Sequence, residues 1–342
     1  MPNMFRFWPV ICILAISAPL SAQETTEPAF NAKTILALKN LQLLDQRLYT
    51  VGYRLVSANE PFCRTKVAGA GLLLHDINQY GDQAAARFAL GFDGPVAINA
   101  VAQDSPAANT GLAPGNDLFV INNLAIADIA VSNQELDSEV PAYRRLAAVN
   151  AALENALNKG QTQLTVSVGG IRQIVTVDPV QTCPSRFQIR VSDDRSASAD
   201  GRMVSISSAL AEYFQSDDEF AAVAAHELAH NLLHHKDRLN EQNVNRGFFG
   251  QFGKSAGRIR ETEIEADRLS VWLMANAGYD PQAAIRFWTR YGKEHGKGIF
   301  SASTHYKWKK RVMLFEDEIA KMAAMGPTSG KYAPPLLTAD KP

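Results

Sequence analysis

The feature that most constrains the fold and chemistry of this chain is a helical pattern in its last third. This pattern places two histidines and a glutamate among apolar residues. Ser216 and Glu219 form a capping box, in which a serine at the N-cap and a glutamate three positions later satisfy free N–H groups at a helix start. The motif His226-Glu227-Leu-Ala-His230 follows in a run of Phe, Ala, Val and Leu, which predicts a core helix. Because positions i and i+4 of a helix share a face, both imidazoles can bind one Zn²⁺ ion, and Glu227 can hold a water molecule beside it.

The residues after this motif exclude two familiar zinc-site arrangements. Lys236 stands six residues after His230, where a metzincin has a third histidine, and no acidic residue occupies the thermolysin-like position. His234 and His235 lie at the end of the helix predicted over 219–235, where cationic side chains suit the helix dipole. We therefore predict no metal role for these two histidines.

An acidic cluster over 260–268 offers the missing ligand. It begins a predicted helix that runs to residue 277, on which Glu263 and Asp267 share a face and Glu265 lies on the far side. One carboxylate of the shared face can complete a metal site, and the other can orient a ligating imidazole through its second ring nitrogen. The alternative is a solvated acidic turn beside neighbouring arginines.

The stretch from Cys183 to about Glu318 resembles the HtpX-like, CaaX-prenyl-protease-like gluzincin zinc metalloproteases, especially their soluble periplasmic members. The motif helix and the Glu263-Ile-Glu-Ala-Asp267 segment carry most of this resemblance. It implies an α+β fold, with a mainly helical zincin-type domain and a small sheet. It also implies one Zn²⁺ bound by His226, His230 and Glu263, with Glu227 as general base and Asp267 behind the ligands.

Two further segments resemble parts of the same family. Ser303-Thr-His305, with Arg311 six residues on, is similar to its T-H-P…R segment. The resemblance implies that His305 stabilises the oxyanion or gates the open zinc position, and that Arg311 supports the site. Tyr306 replaces the usual Pro, so the alternative places Tyr306 at the site. The segment 201–208 resembles the family's strand before the motif helix, and we expect substrate to pair with an edge strand at 202–207.

The middle of the chain resembles a bacterial PDZ domain. Short strands with Gly and Pro turns are expected from about residue 85, at 88–92, 96–101, 118–121, 163–168 and 172–177, with a helix over 142–158. The segment Ala89-Leu90-Gly91-Phe92 resembles the carboxylate-binding loop of that family. The resemblance implies a PDZ-like β-barrel in which Leu90, Gly91 and Phe92 bind peptide. The alternative is a PDZ-shaped spacer with a closed groove.

These patterns divide the chain into five segments: a signal peptide (1–22), an N-terminal helical segment (23–66), the PDZ-like domain (67–180), the zinc metallopeptidase domain (181–326) and a flexible tail (327–342). A basic start, an apolar run and small residues before Gln23 predict a cleavable signal peptide and a periplasmic location. A retained N-terminal anchor is the alternative. In an oxidising compartment Cys63 and Cys183 most simply form a disulfide, with two separate buried thiols as the alternative.

Composition narrows the range of partners. The chain has 34 Lys and Arg against 35 Asp and Glu, so no general basic field is available for nucleic acid. The Gly-rich aromatic loop 246–253 suggests a flap over the cleft or a transient membrane contact, with an ordinary loop as the alternative. The predicted function is a zinc endopeptidase acting on unfolded or misassembled envelope proteins. The alternative is a chaperone or adaptor that binds extended chains with little proteolysis.

Overall fold

The computed structural model describes residues 30–131, 141–244, 253–295 and 307–338. The predicted signal peptide, nearly all of the aromatic loop, His305 and Tyr306 lie outside these residues. Within the described ranges, no helix combines the length and the apolar character needed to span a membrane.

A long N-terminal helix, α1 (Ala32–Ala58), packs against both halves of the molecule. Asn31 caps its start by accepting a hydrogen bond from the Lys33 backbone N–H at 2.9 Å. Near this end Ile35 and Leu38 contact the middle of the chain, whereas Leu48 and Leu55 are buried in the core of the C-terminal half. The N-terminal segment predicted to be helical over 23–66 thus contains one long helix, which joins the two halves.

The middle of the chain is built from short strands and two helices: β1 (Val67–Gly69), β2 (Leu72–Asp76), α2 (Gln83–Leu90), β3 (Val96–Val101), β4 (Leu118–Ile121), β5 (Leu124–Ala125), α3 (Pro141–Asn158), β6 (Thr162–Val168), β7 (Ile171–Val177) and β8 (Val180–Thr182). Strands β2 and β3 form one antiparallel pair, β1 and β8 another, and a four-stranded antiparallel sheet has the order β5-β4-β6-β7. These strands do not close into a barrel, so the predicted β-barrel is not present in the described residues.

The prediction of a strand at 88–92 is wrong. The segment Gln83–Leu90 is helix α2, which Asp82 caps and which ends at Gly91 in the left-handed conformation (φ 69°). The cause is local: three consecutive alanines after an aspartate N-cap favour a helix over a strand. Leu90 and Phe92 are buried in a small cluster that α1 covers, so they present no free strand edge to a peptide.

Helix α1 also contacts β3, the strand that follows this segment. The Gln46 side chain donates to the Val101 carbonyl at 2.6 Å and accepts from the Val101 N–H at 3.0 Å. Asn99 donates to the Asp45 carboxylate of α1 at 2.9 Å. Leu90 and Phe92, predicted together with Gly91 to bind peptide, are thus covered in this structure, and the geometry fits the closed-groove alternative.

The C-terminal half contains a three-stranded sheet and a group of helices: β9 (Arg186–Arg190), β10 (Ala197–Ala199), β11 (Met203–Ser207), α4 (Ser208–Ala211), α5 (Asp217–Leu232), α6 (His235–Glu241), α7 (Gly253–Asn276), α8 (Gln282–His295), α9 (Trp308–Met325) and α10 (Pro335–Thr338). The sheet order is β10-β11-β9, with β11 parallel to β9 and antiparallel to β10. The segment 202–207 was expected at the edge, but β11 is the central strand, and β10 is the edge strand beside it.

Two helix boundaries and the packing of the C-terminal tail differ from the sequence-based expectation. Helix α5 ends at Leu232 rather than near residue 235, because His234 adopts the left-handed conformation (φ 52°) and α6 starts after it. Helix α7 begins at Gly253, well before residue 260. The predicted flexible tail is partly packed: Leu337 is buried in the core, and the Tyr332 N–H donates to the Asn276 side chain at 2.8 Å.

A disulfide joins Cys63 and Cys183, whose Cα atoms lie 5.6 Å apart and whose side chains are buried. It connects the chain just after α1 to the chain just before β9. In the structure the two predicted partners are thus paired across the two halves of the molecule.

Candidate active site

Helix α5 positions the histidine motif, and its start forms as its sequence indicates. The Ser216 hydroxyl accepts a hydrogen bond from the Glu219 N–H at 3.2 Å. The Glu219 carboxylate reaches back to the Gln215 N–H at 2.9 Å, one residue before the expected N-cap position. Phe220 and Leu228 are fully buried, so the helix is held in the core and its histidine face is fixed.

Three potential metal-ligating side chains converge between α5 and α7. The His226 and His230 Nε2 atoms are 3.2 Å apart, and they lie 3.4 and 3.5 Å, respectively, from the two carboxylate oxygens of Glu263. Donor atoms of a tetrahedral zinc site, each about 2.1 Å from the ion, lie about 3.4 Å apart. Two imidazole nitrogens and one carboxylate oxygen at this spacing fit Zn²⁺ and leave a fourth position for water or substrate.

Glu227 lies beside this cluster and lines the same cavity. Burial raises the pKa of its carboxyl group to about 7, and the negative charge of Glu263 acts in the same direction, while the neighbouring His226 opposes both. A bound divalent cation would act against this rise. A carboxylate in this position beside the cluster is suited to accept and return a proton.

Asp267 and Arg311 lie behind His226. The His226 Nδ1 atom is 2.9 Å from Asp267 Oδ1, and Arg311 holds the same carboxylate with two nitrogens, of which Nε lies 2.8 Å from Oδ2. The Arg311 guanidinium also stacks on Trp288. With its Nδ1–H directed at a carboxylate, His226 keeps Nε2 free for a metal.

The same contacts set the proton affinity of His226. Burial disfavours the imidazolium, but the hydrogen bond and charge of Asp267, with a smaller contribution from Glu263, outweigh it and raise the pKa to about 10. A metal ion and a proton would therefore compete for this imidazole.

The cavity over the ligand cluster has a volume of about 230 Å³. One wall is the edge strand β10, and the other includes three aromatic side chains of α8, which are Phe287, Trp288 and Tyr291. The sequence analysis missed these aromatic residues. Their signal was an amphipathic pattern, since positions 287, 288 and 291 share one helix face.

The remaining predicted site residues fall in different places. Leu90, Gly91 and Phe92 are not among the residues that line this cavity. His305 lies outside the described residues. Glu265, expected on the far side of α7 from Glu263 and Asp267, accepts hydrogen bonds from His235 and Arg238. The structure thus connects a second carboxylate to His230 through His235.

Comparison with known proteins gives one family match and several relatives. Residues 184–252 match the model of Peptidase family M48. The chain is 30% identical to the mitochondrial metalloendopeptidase OMA1 of Schizosaccharomyces pombe, over 34% of this chain and 41% of the relative. It is 28% identical to a putative beta-barrel assembly-enhancing protease of Vibrio cholerae, over 50% of this chain and 41% of the relative. A mitochondrial metalloendopeptidase OMA1 of Arabidopsis thaliana is 31% identical over 31% of this chain.

The chain thus spans well under half the length of these relatives: 41% for the first two and 25% for the Arabidopsis protein. The segment that matches the family model contains His226, Glu227 and His230, while Glu263 lies beyond it. The match to Peptidase family M48, the two kinds of protease among the relatives and the cluster of potential metal ligands together support a metalloprotease.

Proposed function

We propose that this protein is a zinc-dependent endopeptidase of the bacterial cell envelope that cleaves unfolded or misassembled proteins. The observation that carries the proposal is the convergence of the His226, His230 and Glu263 ligand atoms beside Glu227 in one cavity. Similarity to metalloendopeptidases supports the reaction class. The similarity to a putative beta-barrel assembly-enhancing protease of Vibrio cholerae supports an envelope substrate, and the signal-peptide pattern over 1–22 supports export.

In this proposal His226, His230 and Glu263 hold the zinc ion. When bound, the ion would supply Lewis acidity to polarise a peptide carbonyl and to lower the pKa of a water molecule. Glu227 accepts the proton of the attacking water and returns it to the leaving amine. Asp267 keeps the His226 ring oriented, and His305, as the family resemblance implies, stabilises the oxyanion or gates the open position.

The edge strand β10 is the element suited to hold substrate. It pairs with β11 on one side, and among the described residues no strand pairs with its other side. Ala197, Ser198 and Ala199 also line the cavity that contains the proposed ligands. An extended polypeptide can add to this edge as a further strand through main-chain hydrogen bonds, which favours unfolded chains because their backbone groups are unpaired. The strand at 202–207 cannot serve this purpose, because both of its sides are paired.

The test compares wild type with Glu227→Gln for zinc content and for cleavage of unfolded casein. The variant should bind zinc and fold normally, while its turnover falls by about 10²- to 10⁴-fold, because only the proton acceptor has been removed. Glu261→Gln, the same chemical change at an exposed position of α7, is the matched control and should keep full activity. Normal turnover in Glu227→Gln would contradict the mechanism. Tight casein binding without cleavage by zinc-loaded wild type would instead support an adaptor.

A separate experiment tests the location. The N-terminus of the protein recovered from fractionated cells should be Gln23, and the protein should be in the periplasmic fraction. Recovery with residues 1–22 still attached, in the cytoplasmic fraction, would contradict the proposed location and leave the peptidase chemistry unaffected.

A further inference from the structure

His235 and Glu265 form a hydrogen-bonded chain behind the proposed zinc ligand His230. The two imidazoles meet through their Nδ1 atoms at 2.9 Å, and the His235 Nε2 atom lies 3.0 Å from Glu265 Oε2. Arg238 donates to the same carboxylate oxygen at 2.5 Å. The His235 side chain is 2% exposed, so this chain of contacts is enclosed by protein.

The donor and the acceptor of each hydrogen bond between His230, His235 and Glu265 follow from the chemistry of the Glu265 carboxylate. An ionised carboxylate only accepts, so the His235 Nε2 atom must carry hydrogen when it bonds to Glu265. A neutral His235 then has a bare Nδ1, which can accept only if His230 carries hydrogen on its own Nδ1. The lone pair of His230 is thereby left on Nε2, the atom that lies 3.5 Å from Glu263 and 3.2 Å from the Nε2 atom of His226.

A break in the helix makes this contact possible. In a continuous helix, residue 235 would be rotated by about 140° from residue 230 and would face another side. The left-handed conformation of His234 (φ 52°, ψ 39°) ends α5 and starts α6 in a new direction, which returns His235 to His230. A non-glycine residue in this conformation costs free energy and persists where surrounding contacts enforce it.

We propose that His235, anchored by Glu265, is a positioning residue that fixes the tautomer and ring orientation of His230 for metal binding. This inference rests on the proposed zinc site. Under this proposal a carboxylate orients each of the two histidine ligands. Asp267 contacts His226 directly, and Glu265 acts on His230 through a second imidazole. His235 itself is not a ligand, because its Nδ1 contacts the edge of the His230 ring opposite Nε2, and it is outside the convergent cluster.

Three substitutions of His235 separate positioning from packing. The Asn side chain places an oxygen near the imidazole Nδ1 position and can still accept from His230. The Gln side chain places its amide near the Nε2 position, where it can bond Glu265 but leaves His230 without its acceptor. Phe keeps the ring and has no polar atom. We expect zinc affinity to fall about 10- to 100-fold in His235→Gln and His235→Phe, and to stay within a few fold of wild type in His235→Asn.

The readouts are zinc dissociation constants from chelator competition, the absorption spectrum of the Co²⁺-substituted protein, and urea unfolding of the metal-free protein. The spectra of His235→Gln and His235→Phe should differ from that of wild type, because the geometry at His230 is altered, while that of His235→Asn should match it. If His235→Phe does not fold, the comparison of Asn with Gln still decides. Equal zinc affinity in His235→Asn and His235→Gln would overturn the inference.

Glu265 provides an independent test. Glu265→Ala should weaken zinc binding although this carboxylate is outside the ligand cluster, whereas Glu261→Ala, at an exposed position of the same helix, should not. Unchanged zinc affinity in Glu265→Ala would contradict the anchoring role. Failure of wild type to bind zinc at all would contradict the proposed function itself, so the two failures are distinguishable.

Discussion

Replacing Asp45 with asparagine should stabilise this protein at neutral pH. Asp45 lies on α1, where it joins the two halves of the molecule: its Oδ1 accepts from the Ile189 N–H at 2.8 Å, and its Oδ2 accepts from the Asn99 amide at 2.9 Å. The residue is only 8% exposed. Burial raises the pKa of its carboxyl group from 3.8 to about 6, although both hydrogen bonds act to lower it.

The size and sign of the effect follow from that pKa. A rise from 3.8 to about 6 corresponds to about 3 kcal/mol of free energy of unfolding. Because the folded state binds the proton more tightly than the unfolded state, the contribution of protonated Asp45 is complete below about pH 4 and is lost as pH rises through about 6. Asparagine is neutral at every pH and can still accept from Ile189, but its amide cannot also accept from Asn99, which costs about 1 kcal/mol.

The assay is urea unfolding of metal-free wild type and Asp45→Asn between pH 4 and pH 8. The variant should be about 0.5 kcal/mol less stable than wild type at pH 4 and about 2 kcal/mol more stable at pH 8. Asp104→Asn is the matched control, because that side chain is 87% exposed, and its stability difference from wild type should not follow this pH profile. A stability difference between Asp45→Asn and wild type that is independent of pH would refute the reasoning.

Three further predictions concern the site and its support. Glu263→Ala should lose zinc measured by metal analysis, whereas Glu261→Ala should keep it, since only the first residue belongs to the ligand cluster; equal zinc in both would mean that the third ligand is wrong. Arg311→Leu should lower the free energy of unfolding by about 1.5–3 kcal/mol in urea titrations, because the buried Asp267 carboxylate loses its two charged hydrogen bonds from Arg311 and keeps only His226 as a cationic partner; a loss below about 1 kcal/mol would show that this ion pair adds little. Non-reducing mass spectrometry of protein from the periplasm should show Cys63 linked to Cys183, and two free thiols there would contradict the pairing.

Several features of this protein follow from neighbouring residues alone. The capping box before α5, the i and i+4 spacing of His226 and His230, and the shared face of Glu263 and Asp267 depend on contacts within one or two helical turns. The hairpin between β6 and β7 is similar, because Gly169 and Gly170 both adopt positive φ angles that glycine accepts at little cost. Local stereochemistry determines such elements, so sequence was sufficient to predict them.

Short apolar segments were ambiguous for a physical reason. The segment 83–92 is too short for periodicity to distinguish a strand from a helix. Its alanine run and the Asp82 N-cap stabilise the helix that forms. The position of a strand within its sheet cannot be read from the strand's own sequence either, because residues far apart in the chain determine which strands pair. β11 is central only because β9 and β10 both pair with it.

The hydrogen bonds that link His230 to His235 and Glu265 depend on tertiary structure. The sequence alone predicts a helix-end cation at His235 and a carboxylate on the far side of its helix at Glu265. Their contact requires a left-handed residue that breaks one helix and the packing of α6 against α7, neither of which has a local signature. The spacing of the proposed metal ligands on each helix is therefore encoded within single helical turns. The hydrogen bonds that orient them form between separate helices, and only the folded chain brings those helices together.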